Sequence, residues 1–443
     1  MTLEQQARAM AGDPQSFEVR YIDAKSSELE LAEWVTHEVG TDNLLLTDQG
    51  LYRWNGTIWE SQTDAAWRHE VQGLLKTIPS IKLSGSRVAS VATLARTESY
   101  RPGFEWPVDE GEAVACLNGV VKFDGNQWIL EPHQREDYRI STIPVEWQPE
   151  ARAPRFTQFL IEIFRDDPDG RDKAQALLEM MGYTLVRHTR HERFIVLVGR
   201  GANGKSVLLS IIVALCGPEN IAAVSPDQLD RPFQRAALFR MLANIITELK
   251  QGEQIQDGAL KAIVSGEPCT VERKFGHPFT MRPYATQWYG TNHLPHTRDF
   301  SYALFRRALI VPFNRKFSGP DADPDLTAKL KGELPGILRL SLDAYGEALK
   351  AGKFTEPESC INAKDKWRLE ADQVARWAES CLDRDPGDWV LLKDAYSHYR
   401  DWAEDAGIRL KVSKDEFSDR LDRLDYTKKR RNVGIAFEDV RIR

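Results

Sequence analysis

The chain has 443 residues, of which 42% are hydrophobic and 9% aromatic, and its formal net charge is -7. At about 100 to 200 residues per domain this length allows two to four domains, and the apolar content excludes a disordered chain. The acidic balance excludes a uniformly basic coat for nucleic acid. The five cysteines are scattered, which excludes a zinc cluster or a disulfide framework and predicts a reduced, cytoplasmic compartment. The longest apolar run, 207–216, is too short to span a bilayer, so we expect no membrane partner.

Periodicity and Pro-containing linkers divide the chain into six segments. From about residue 193, strand patterns alternate with glycine loops and helices, which predicts an α/β core. The predicted segments are a flexible arm at 1–25, an N-terminal α+β domain at 26–145, a helical collar at 146–192, the core at 193–320, a helical lid or linker at 321–354 and a C-terminal domain at 355–443.

Two segments of the N-terminal domain, 50–59 and 119–128, share one ten-residue pattern. Each contains an Asn-Gly or Asp-Gly pair, which supplies the positive φ angles of a tight hairpin turn. The pattern therefore predicts two β-hairpins. We expect their tryptophans, Trp54, Trp59 and Trp128, to pack across the strand pairs, and stacking on nucleic-acid bases is the alternative.

Residues 199–206, Gly-Arg-Gly-Ala-Asn-Gly-Lys-Ser, match the phosphate-binding pattern G-x-x-x-x-G-K-S. An apolar strand pattern precedes the loop and a helical pattern follows it, so that the positive end of a helix dipole faces the anion. The residues predicted to bind the nucleotide are Gly199, Gly201, Asn203, Gly204, Lys205 and Ser206. Lys205 would neutralise the β and γ phosphates, and the Ser206 hydroxyl would bind Mg²⁺. The sequence thus predicts ATP or another nucleoside triphosphate, with Mg²⁺.

A second acidic element is expected at the end of a neighbouring strand. Residues 241–248 have a strand pattern that ends at Glu248. This carboxylate would polarise the attacking water and, with Ser206, belong to the metal site. The alternative is an ordinary acidic residue in a strand-to-loop turn.

Further short motifs follow one another along the chain. They are Asn118-Gly119-Val120, Ala153 to Phe156, Asn244 to Glu248, Leu260-Lys261 with Ser265-Gly266-Glu267, Glu272-Arg273-Lys274, Thr291 to Pro295, and Phe305-Arg306-Arg307 with Val311-Pro312-Phe313. In this order, and with the glycine loop, they resemble superfamily 3 helicases, specifically the phage and plasmid primase-helicase branch that includes the poxvirus primase-helicase. The resemblance covers residue 45 to the C terminus. One position departs from it, since the family usually has Asp or Asn where this chain has Thr247.

The resemblance implies an AAA+-like core that works as a ring, usually a hexamer, with ATP between subunits and 3′ to 5′ movement on single-stranded DNA. Asn292 resembles the polar sensor of the γ-phosphate, because a neutral amide can both donate and accept. A turn-capping Asn is the alternative. Arg306 and Arg307 resemble arginines that reach the nucleotide of a neighbouring subunit. The sequence does not choose between them, because one could be an ordinary salt-bridged arginine.

Two segments are predicted to contact DNA. Residues 267–282 have a strand–turn–strand pattern that resembles the hairpin this superfamily points into its channel, with Lys274, Phe275 and His277 at the tip. An exposed charged tip is the alternative. Residues 395–443 have the helix–helix–hairpin order of a winged helix, and Lys428, Lys429, Arg430 and Arg431 would form its wing, in contact with a duplex or a fork. A solvated charged face is the alternative.

The leading function is therefore an ATP-dependent replicative DNA helicase of a phage, plasmid or mobile element, acting on single-stranded and forked DNA. Fewer than 200 residues precede the glycine loop, and the Asp-x-Asp pairs at 167/169 and 323/325 fall in turns. We therefore expect no primer synthesis, and a separate primase or polymerase as partner. The alternative is an ATP-controlled initiator or loader that binds DNA without processive unwinding. A small-molecule kinase also uses a phosphate-binding loop, but this function would leave the basic C-terminal segment without a role, and we therefore exclude it.

Overall fold

The computed structural model of the protein describes residues 22–109, 111–250, 252–274, 278–297, 302–318, 323–408 and 411–443. These residues form two compact units. The first consists of the described residues up to Pro107 together with His133–Ile140, and the second of Val108–Pro132 together with the described residues from Ser141 onward. Within the described ranges, no helix is both long enough and apolar enough to cross a membrane.

The first unit combines three helices with a three-stranded antiparallel sheet of order β1-β2-β3. Its elements are α1 (Glu28–Val39), β1 (Leu44–Thr47), β2 (Gly50–Trp54), β3 (Trp59–Gln62), α2 (Asp64–Leu75) and α3 (Gly85–Glu98). The helices begin at Ser27, Thr63 and Ser84, whose side chains each accept a hydrogen bond from a backbone N–H of the first turn. Apolar residues at helical spacing from all three helices fill one core.

A second small sheet, β4-β5-β6, belongs to the second unit (β4, Ala113–Cys116; β5, Gly119–Phe123; β6, Trp128–Glu131). Both predicted hairpins are confirmed, but four residues rather than two connect each pair of strands. The φ angle is +94° at Gly56 and +97° at Gly125. The preceding Asn55 and Asp124 are not at positive φ, and each side chain instead accepts hydrogen bonds from two backbone N–H groups. These side-chain bonds stabilise the longer turn.

The tryptophan rings pack across the strand pairs, as predicted. The centroids of Trp54 and Trp59 are 6.2 Å apart, and those of Phe123 and Trp128 are 5.1 Å apart. The Nε1 atom of Trp128 also donates a hydrogen bond of 2.7 Å to the carbonyl of Leu342, within the second unit. The second hairpin thus belongs to that unit, which differs from the prediction of one N-terminal domain over 26–145.

A five-stranded parallel sheet forms the centre of the second unit, in the order β13-β7-β12-β9-β8. From residue 154 to residue 351 the elements are α4 (Pro154–Ile163), α5 (Gly170–Thr184), β7 (Phe194–Val198), α6 (Lys205–Cys216), β8 (Ile221–Ala222), α7 (Pro232–Arg235), β9 (Ala243–Ile246), α8 (Asp257–Val264), β10 (Cys269–Val271), β11 (Phe279–Met281), β12 (Thr286–Thr291), α9 (Tyr302–Phe305), β13 (Ala308–Pro312), α10 (Leu326–Lys331) and α11 (Leu334–Ala351). The predicted α/β core with a parallel sheet is confirmed.

Both faces of this sheet are covered. Ile195 and Leu197 of β7 lie in one apolar cluster, and Phe194 and Val196 lie in the other. This explains why β7 is an unbroken apolar run, since a parallel strand between two helical layers has no polar face. All strands point the same way, so their carboxyl ends meet at one edge.

Helices α4, α5 and α11 lie on one side of the sheet. A Cβ atom on Gly182 of α5 would come within 2.4 Å of the carbonyl oxygen of Ser341 in α11, so only glycine allows this close approach. Lys173 is fully buried, and its Nζ donates to Asp167 at 2.9 Å and to the carbonyl of Pro312 at 3.0 Å. Asp167 therefore has a structural partner in α5, the same lysine that binds the end of β13.

The C-terminal part of the second unit combines helices with an antiparallel sheet of order β14-β16-β15. Its elements are α12 (Glu358–Ala371), α13 (Gln373–Cys381), β14 (Leu382–Leu391), α14 (Leu392–Asp405), α15 (Lys414–Arg423), β15 (Lys428–Arg431) and β16 (Gly434–Ile442). The aromatic rings of Trp377, Tyr399 and Phe417 pack together in its core. A helix–helix–hairpin order is present from α14 to β16, and its assignment to the winged-helix class stays a prediction.

Candidate nucleotide-binding site

The carboxyl edge of the parallel sheet holds a polar cavity of about 200 Å³. The glycine loop leaves β7 there, Thr247 and Glu248 follow β9, and Asn292 follows β12, which lies between the other two strands. The residues that line the cavity are Gly201, Ala202, Asn203, Gly204, Lys205, Ser206, Val207, Thr247, Glu248, Thr291 and Asn292. The sheet order thus brings together segments that are far apart in sequence.

The glycine loop has the curvature that an anion site needs. The φ angles are +39° at Gly201, +51° at Ala202 and +93° at Gly204. Successive residues of this kind turn their N–H groups toward a concave surface, and α6 begins directly afterwards at Lys205. A Cβ atom on Gly204 would also lie 2.7 Å from Ile163 of α4. Glycine is therefore required there by both the φ angle and the space.

Lys205 is held inside the loop and is only 6% exposed. Its ammonium group donates hydrogen bonds to the carbonyl of Gly199 and, at 3.1 Å, to the Oδ1 atom of Asn203. Burial lowers the pKa of Lys205, and the negative charge of Glu248 opposes that change. The Asn203 amide is itself buried and donates to the carbonyl of Phe313, just after β13. The lysine is thus positioned by backbone and amide oxygens.

Asn292 connects the two sides of the cavity. Its Nδ2 atom donates a 2.5 Å hydrogen bond to Glu248, and its Oδ1 atom accepts one of 3.3 Å from the N–H of Gly201. The turn after β12 is capped by Thr291, whose hydroxyl accepts from the N–H of His293. The Asn292 amide therefore both donates and accepts at the predicted position, beside the predicted base.

The cavity offers oxygen ligands that suit Mg²⁺. The Ser206 and Thr247 hydroxyls and the Glu248 carboxylate line it. In the part of the chain that the structure describes, no three His, Cys, Asp or Glu side chains are grouped so that they could hold a metal ion. Magnesium sites of this kind take much of their coordination from substrate phosphates and water. The residues therefore fit a metal that arrives with a nucleotide.

Arg306 and Arg307 lie at the opposite, amino-terminal edge of the sheet. The carbonyl of Arg307 accepts a hydrogen bond from the N–H of Phe194, the first residue of β7, whereas the glycine loop follows the last residue of that strand. At about 3.3 Å per residue, β7 separates the two edges by about 13 Å. Both side chains bind Glu192, Arg306 at 2.5 Å and Arg307 at 3.0 Å. Neither arginine contacts the cavity of its own chain.

The two arginines have different surroundings. The side chain of Arg307 is 10% exposed and also donates to the carbonyl of Ala303 and to the hydroxyl of Ser265. The side chain of Arg306 is 43% exposed. Arg307 is thus packed into its own subunit, and Arg306 is the one that faces outward.

Sequence reasoning missed Glu192, the residue that holds both arginines. It lies just before β7 and has a φ angle of +49°, a strained value for a residue with a side chain. Burial alone would raise its pKa, but the hydrogen bond from Ser265 and the charges of the arginines hold that pKa below its ordinary value. The sequence signal was an acidic residue before the apolar strand, and its arginine partners lie more than 100 positions away.

The predicted channel hairpin consists of β10 and β11, which pair in antiparallel register. Lys274 is exposed beside its tip, whereas Phe275 and His277 lie outside the described residues. Arg273, which the prediction did not include, stacks its guanidinium over the rings of Phe239 and Phe279. The hairpin is thus anchored by an arginine next to the predicted DNA-binding lysine.

The four basic residues of the predicted wing divide into two pairs. Lys428 forms ion pairs with Asp419 and Asp422 of α15, and Arg431 forms a bidentate pair with Glu438 of β16. Lys429 and Arg430 are exposed. Two of the four positive charges are thus paired within the domain, and the DNA contact of this segment stays a prediction.

Two family models match separate parts of the chain. A model described as "D5 N terminal like" matches residues 32–165, and a model for a family of unknown function, DUF5906, matches residues 197–307. The second range contains the glycine loop, Glu248, Asn292 and both arginines.

Two curated viral proteins are similar in sequence. "Putative helicase L207/L206" of Acanthamoeba polyphaga mimivirus is 23% identical over 268 residues, which cover 53% of this chain and 27% of that protein. "Putative helicase 022R" of Frog virus 3 (isolate Goorha) is 23% identical over 229 residues, which cover 46% of this chain and 23% of that protein. The alignments thus span about a quarter of each relative. With the D5 match, they support a phage or viral primase-helicase-like family.

Solved structures of the C-terminal region of NrS-1 have a similar fold. One apo structure superposes with a TM-score of 0.55 at 12% identity, covering 80% of this chain and 78% of that one. A second superposes with a TM-score of 0.51 at 11% identity, covering 92% and 99%. At such low identity the likeness shows the fold alone.

Proposed function

We propose that this chain is an ATP-dependent replicative DNA helicase of the superfamily 3 type, built on an AAA+-like core and acting for a phage, plasmid or mobile element. In this proposal several copies, usually six in the family it resembles, form a ring. ATP with Mg²⁺ binds at the carboxyl edge of each sheet. The ring moves along single-stranded DNA in the 3′ to 5′ direction and opens forks, with a separate primase or polymerase as partner.

One observation carries the proposal. The glycine loop, Glu248 and Asn292 meet in one cavity, while the outward-facing Arg306 lies at the other edge of the same sheet, beyond the length of β7, which is about 13 Å. A phosphoryl-transfer site needs a positive group on the leaving and transferring phosphates, and a fixed guanidinium supplies it best. Only a second copy can bring Arg306 to this cavity, which is the arrangement of a ring.

Each residue of the cavity then has a distinct task. The loop N–H groups and Lys205 bind the β and γ phosphates, and a bound Mg²⁺ would neutralise developing charge on the phosphate oxygens. Glu248 orients a water molecule and accepts its proton. Asn292, which contacts both Glu248 and the loop, detects whether a γ-phosphate is present. We assign the trans role to Arg306 rather than Arg307, because Arg307 is packed against its own subunit.

The DNA side of the proposal rests on Lys274 and the C-terminal domain. An exposed lysine on a short hairpin can bind the phosphate backbone without reading sequence. Strand displacement on DNA with a 3′ tail or a 5′ tail, combined with size measurement with and without ATP, tests the function. We expect unwinding of the 3′-tailed substrate by an oligomer. ATP binding and DNA binding without displacement would instead favour an initiator or loader.

The variant Lys274→Ala separates helicase from initiator more sharply. A helicase should lose strand displacement and keep ATP binding, because the lysine lies outside the nucleotide cavity. The exposed Lys353, which follows α11 and lies outside the proposed DNA-binding segments, provides a matched control, and Lys353→Ala should unwind like the wild type. If Lys274→Ala displaced strands at the wild-type rate, the β10–β11 hairpin would have no part in unwinding.

A further inference from the structure

The helix that would read DNA in a winged helix has the wrong charge for that task. In such folds the second helix enters the major groove between two rows of phosphates. The exposed side chains of α15 include four acids, Asp415, Glu416, Asp419 and Asp422, against two basic residues, Lys414 and Arg423. Lys428 of β15 pairs with Asp419 and Asp422, which still leaves the surface of α15 without a net positive charge. Carboxylates that face phosphates cost affinity, because protein–DNA contact depends on neutralising backbone charge. Helix α15 is therefore a poor major-groove reader.

The tip of the β15–β16 hairpin has the opposite character. Arg431 pairs with Gly434 in the strand register, so that only Asn432 and Val433 connect the two strands. Val433 is 62% exposed, and Ile435 is 46% exposed. These are large apolar side chains exposed to solvent at the end of a narrow projection, next to two exposed basic residues.

The positive charges lie beside the apolar tip. Arg430 is directly opposite Ile435 in the register, so their side chains share one face of the hairpin. Among the described residues, neither Arg430 nor Lys429 has a carboxylate within ion-pair distance, whereas Lys428 and Arg431 do. The hairpin therefore combines an apolar end with two charges available to an anionic partner.

The hairpin is also held rigid. Arg431 donates two hydrogen bonds of 2.9 Å to Glu438 across the strand pair, and its guanidinium lies 4.7 Å from the ring centroid of Trp389 in β14. The central strand β16 pairs on both sides, with β14 and with β15. A projection supported in this way can press on a partner without folding back.

We propose that this tip is a wedge for the junction between duplex and single-stranded DNA. Val433 and Ile435 insert at the open face of the last base pair and unstack it, and Lys429 and Arg430 bind the phosphates on either side of it. Apolar side chains that insert at base steps unstack them in other DNA-binding proteins, and the last pair at a fork has one face already open. The inference rests on the proposed function, and it assigns fork contact to the hairpin rather than to α15.

A fork that carries 2-aminopurine in its last base pair tests the wedge directly. Binding of the wild-type protein without ATP should raise the fluorescence, because the base analogue becomes unstacked. The double variant Val433→Ser with Ile435→Ser changes only exposed side chains. It should lose the fluorescence rise and unwind about tenfold more slowly, while hydrolysis stimulated by single-stranded DNA stays at the wild-type rate.

Two matched double variants test whether the β15–β16 hairpin or helix α15 contacts the phosphates of the fork. Lys429→Gln with Arg430→Gln should lower the slope of log fork affinity against log salt by about 1 to 2, because two phosphate contacts are lost. Lys414→Gln with Arg423→Gln on α15 should leave the slope unchanged. The opposite pattern, or a full fluorescence rise from the double serine variant, would overturn the wedge. Wild-type protein that fails to hydrolyse ATP would instead refute the proposed function, and the two failures are therefore separable.

Discussion

The carboxyl edge of the parallel sheet holds the predicted nucleotide-binding residues and the amino edge holds the two predicted arginines, and the two edges are built differently. At the carboxyl edge the functional groups are held by contacts within the chain. Lys205 and the Asn203 amide are buried, and Asn292 donates a hydrogen bond to Glu248. The amino edge carries one packed arginine and one arginine that faces outward. In the proposed function, a single chain binds a nucleotide with its own residues, and a second chain completes the reaction centre.

The comparison also separates two kinds of stabilisation. Positive φ angles at Gly201, Ala202 and Gly204 shape the carboxyl edge through the backbone. The amino edge depends on one ionised side chain, Glu192, that binds two guanidinium groups. Backbone curvature is insensitive to pH and salt, whereas ion pairs are sensitive to both. The two edges should therefore respond differently to mutation and to solution conditions.

The largest effect is expected from Glu248→Gln at the carboxyl edge. Glutamine keeps the shape and the hydrogen bond with Asn292 but cannot accept a proton, so turnover should fall by about 10² to 10⁴-fold. Nucleotide affinity should remain within a few-fold of wild type. Single-turnover hydrolysis and equilibrium binding of a fluorescent nucleotide measure the two quantities. Hydrolysis at the wild-type rate would remove Glu248 from the role of base.

Lys205→Ala should act on binding instead. The loss of charge-assisted hydrogen bonds to two phosphates costs about 3 kcal/mol, which corresponds to an affinity loss of roughly 100-fold. Lys393→Ala serves as the matched control, because it removes an exposed lysine from α14. Calorimetric titration with a non-hydrolysable nucleotide measures the difference. Equal affinities for the two variants would mean that the glycine loop is not a phosphate site.

At the amino edge, Arg307→Ala and Arg306→Ala should have different consequences. Arg307→Ala removes a nearly buried partner of Glu192 and should lower the free energy of unfolding by about 1 to 3 kcal/mol, or several degrees in Tm. Arg306→Ala removes a half-exposed ion pair worth about 1 kcal/mol or less, so Tm should hardly change while hydrolysis falls. Thermal unfolding and ATPase rates on both variants check this. Equal losses of Tm in the two variants would contradict the assignment of a structural role to Arg307 and a different role to Arg306.

The smallest predicted effect is a pH dependence near the amino edge. His191 precedes Glu192, and its ring lies against Tyr345 and Phe354, where burial lowers the pKa of His191 to about 4. The unfolded chain binds a proton near pH 6.5 and the folded chain does not, so stability is complete above pH 6.5 and falls as the pH decreases toward 4. After allowance for solvent screening, the loss is of the order of 1 kcal/mol, or about 2 to 4 °C in Tm.

The neighbouring Glu112 also makes the folded protein less stable as the pH decreases, but in a lower pH range than His191. Burial alone would raise the pKa of Glu112, but the hydrogen bond and charge of His188 lead a set of interactions that lower it. The variant His191→Gln keeps a hydrogen-bonding side chain without the titration. Its Tm should vary less than that of wild type between pH 6.5 and 4.5, and an identical pH profile would contradict the assignment.

The glycine loop was predictable because its geometry is local. Glycines at fixed positions permit positive φ, and the flanking strand and helix can be recognised from short patterns. The place of Asn292 beside Glu248 required the strand order β7-β12-β9, which no local pattern gives, and the family resemblance supplied it instead. The sequence alone also left Arg306 and Arg307 equivalent. Their difference depends on Glu192 and Ser265, which are distant in sequence.

The number of basic residues in a segment does not show which of them form ion pairs within the fold. The basic run at 428–431 was predicted to form a DNA-binding wing, and the ion pairs of Lys428 and Arg431 with acids that fold next to them were not foreseen. The domain boundary at residue 145 differed for a similar reason, since Trp128 finds its partner 214 positions away at Leu342. Both outcomes depend on which residues fold next to one another, and the hydrophobic periodicity of the sequence does not show that.

Mixing two inactive variants tests the central claim most directly. Arg306→Ala keeps an intact cavity, and Glu248→Gln keeps an intact outward arginine. If the reaction centre lies between copies, equal amounts of the two proteins should form mixed oligomers that hydrolyse ATP well above the sum of the separate rates. Mixed oligomers that form and still hydrolyse no faster than that sum would contradict the account.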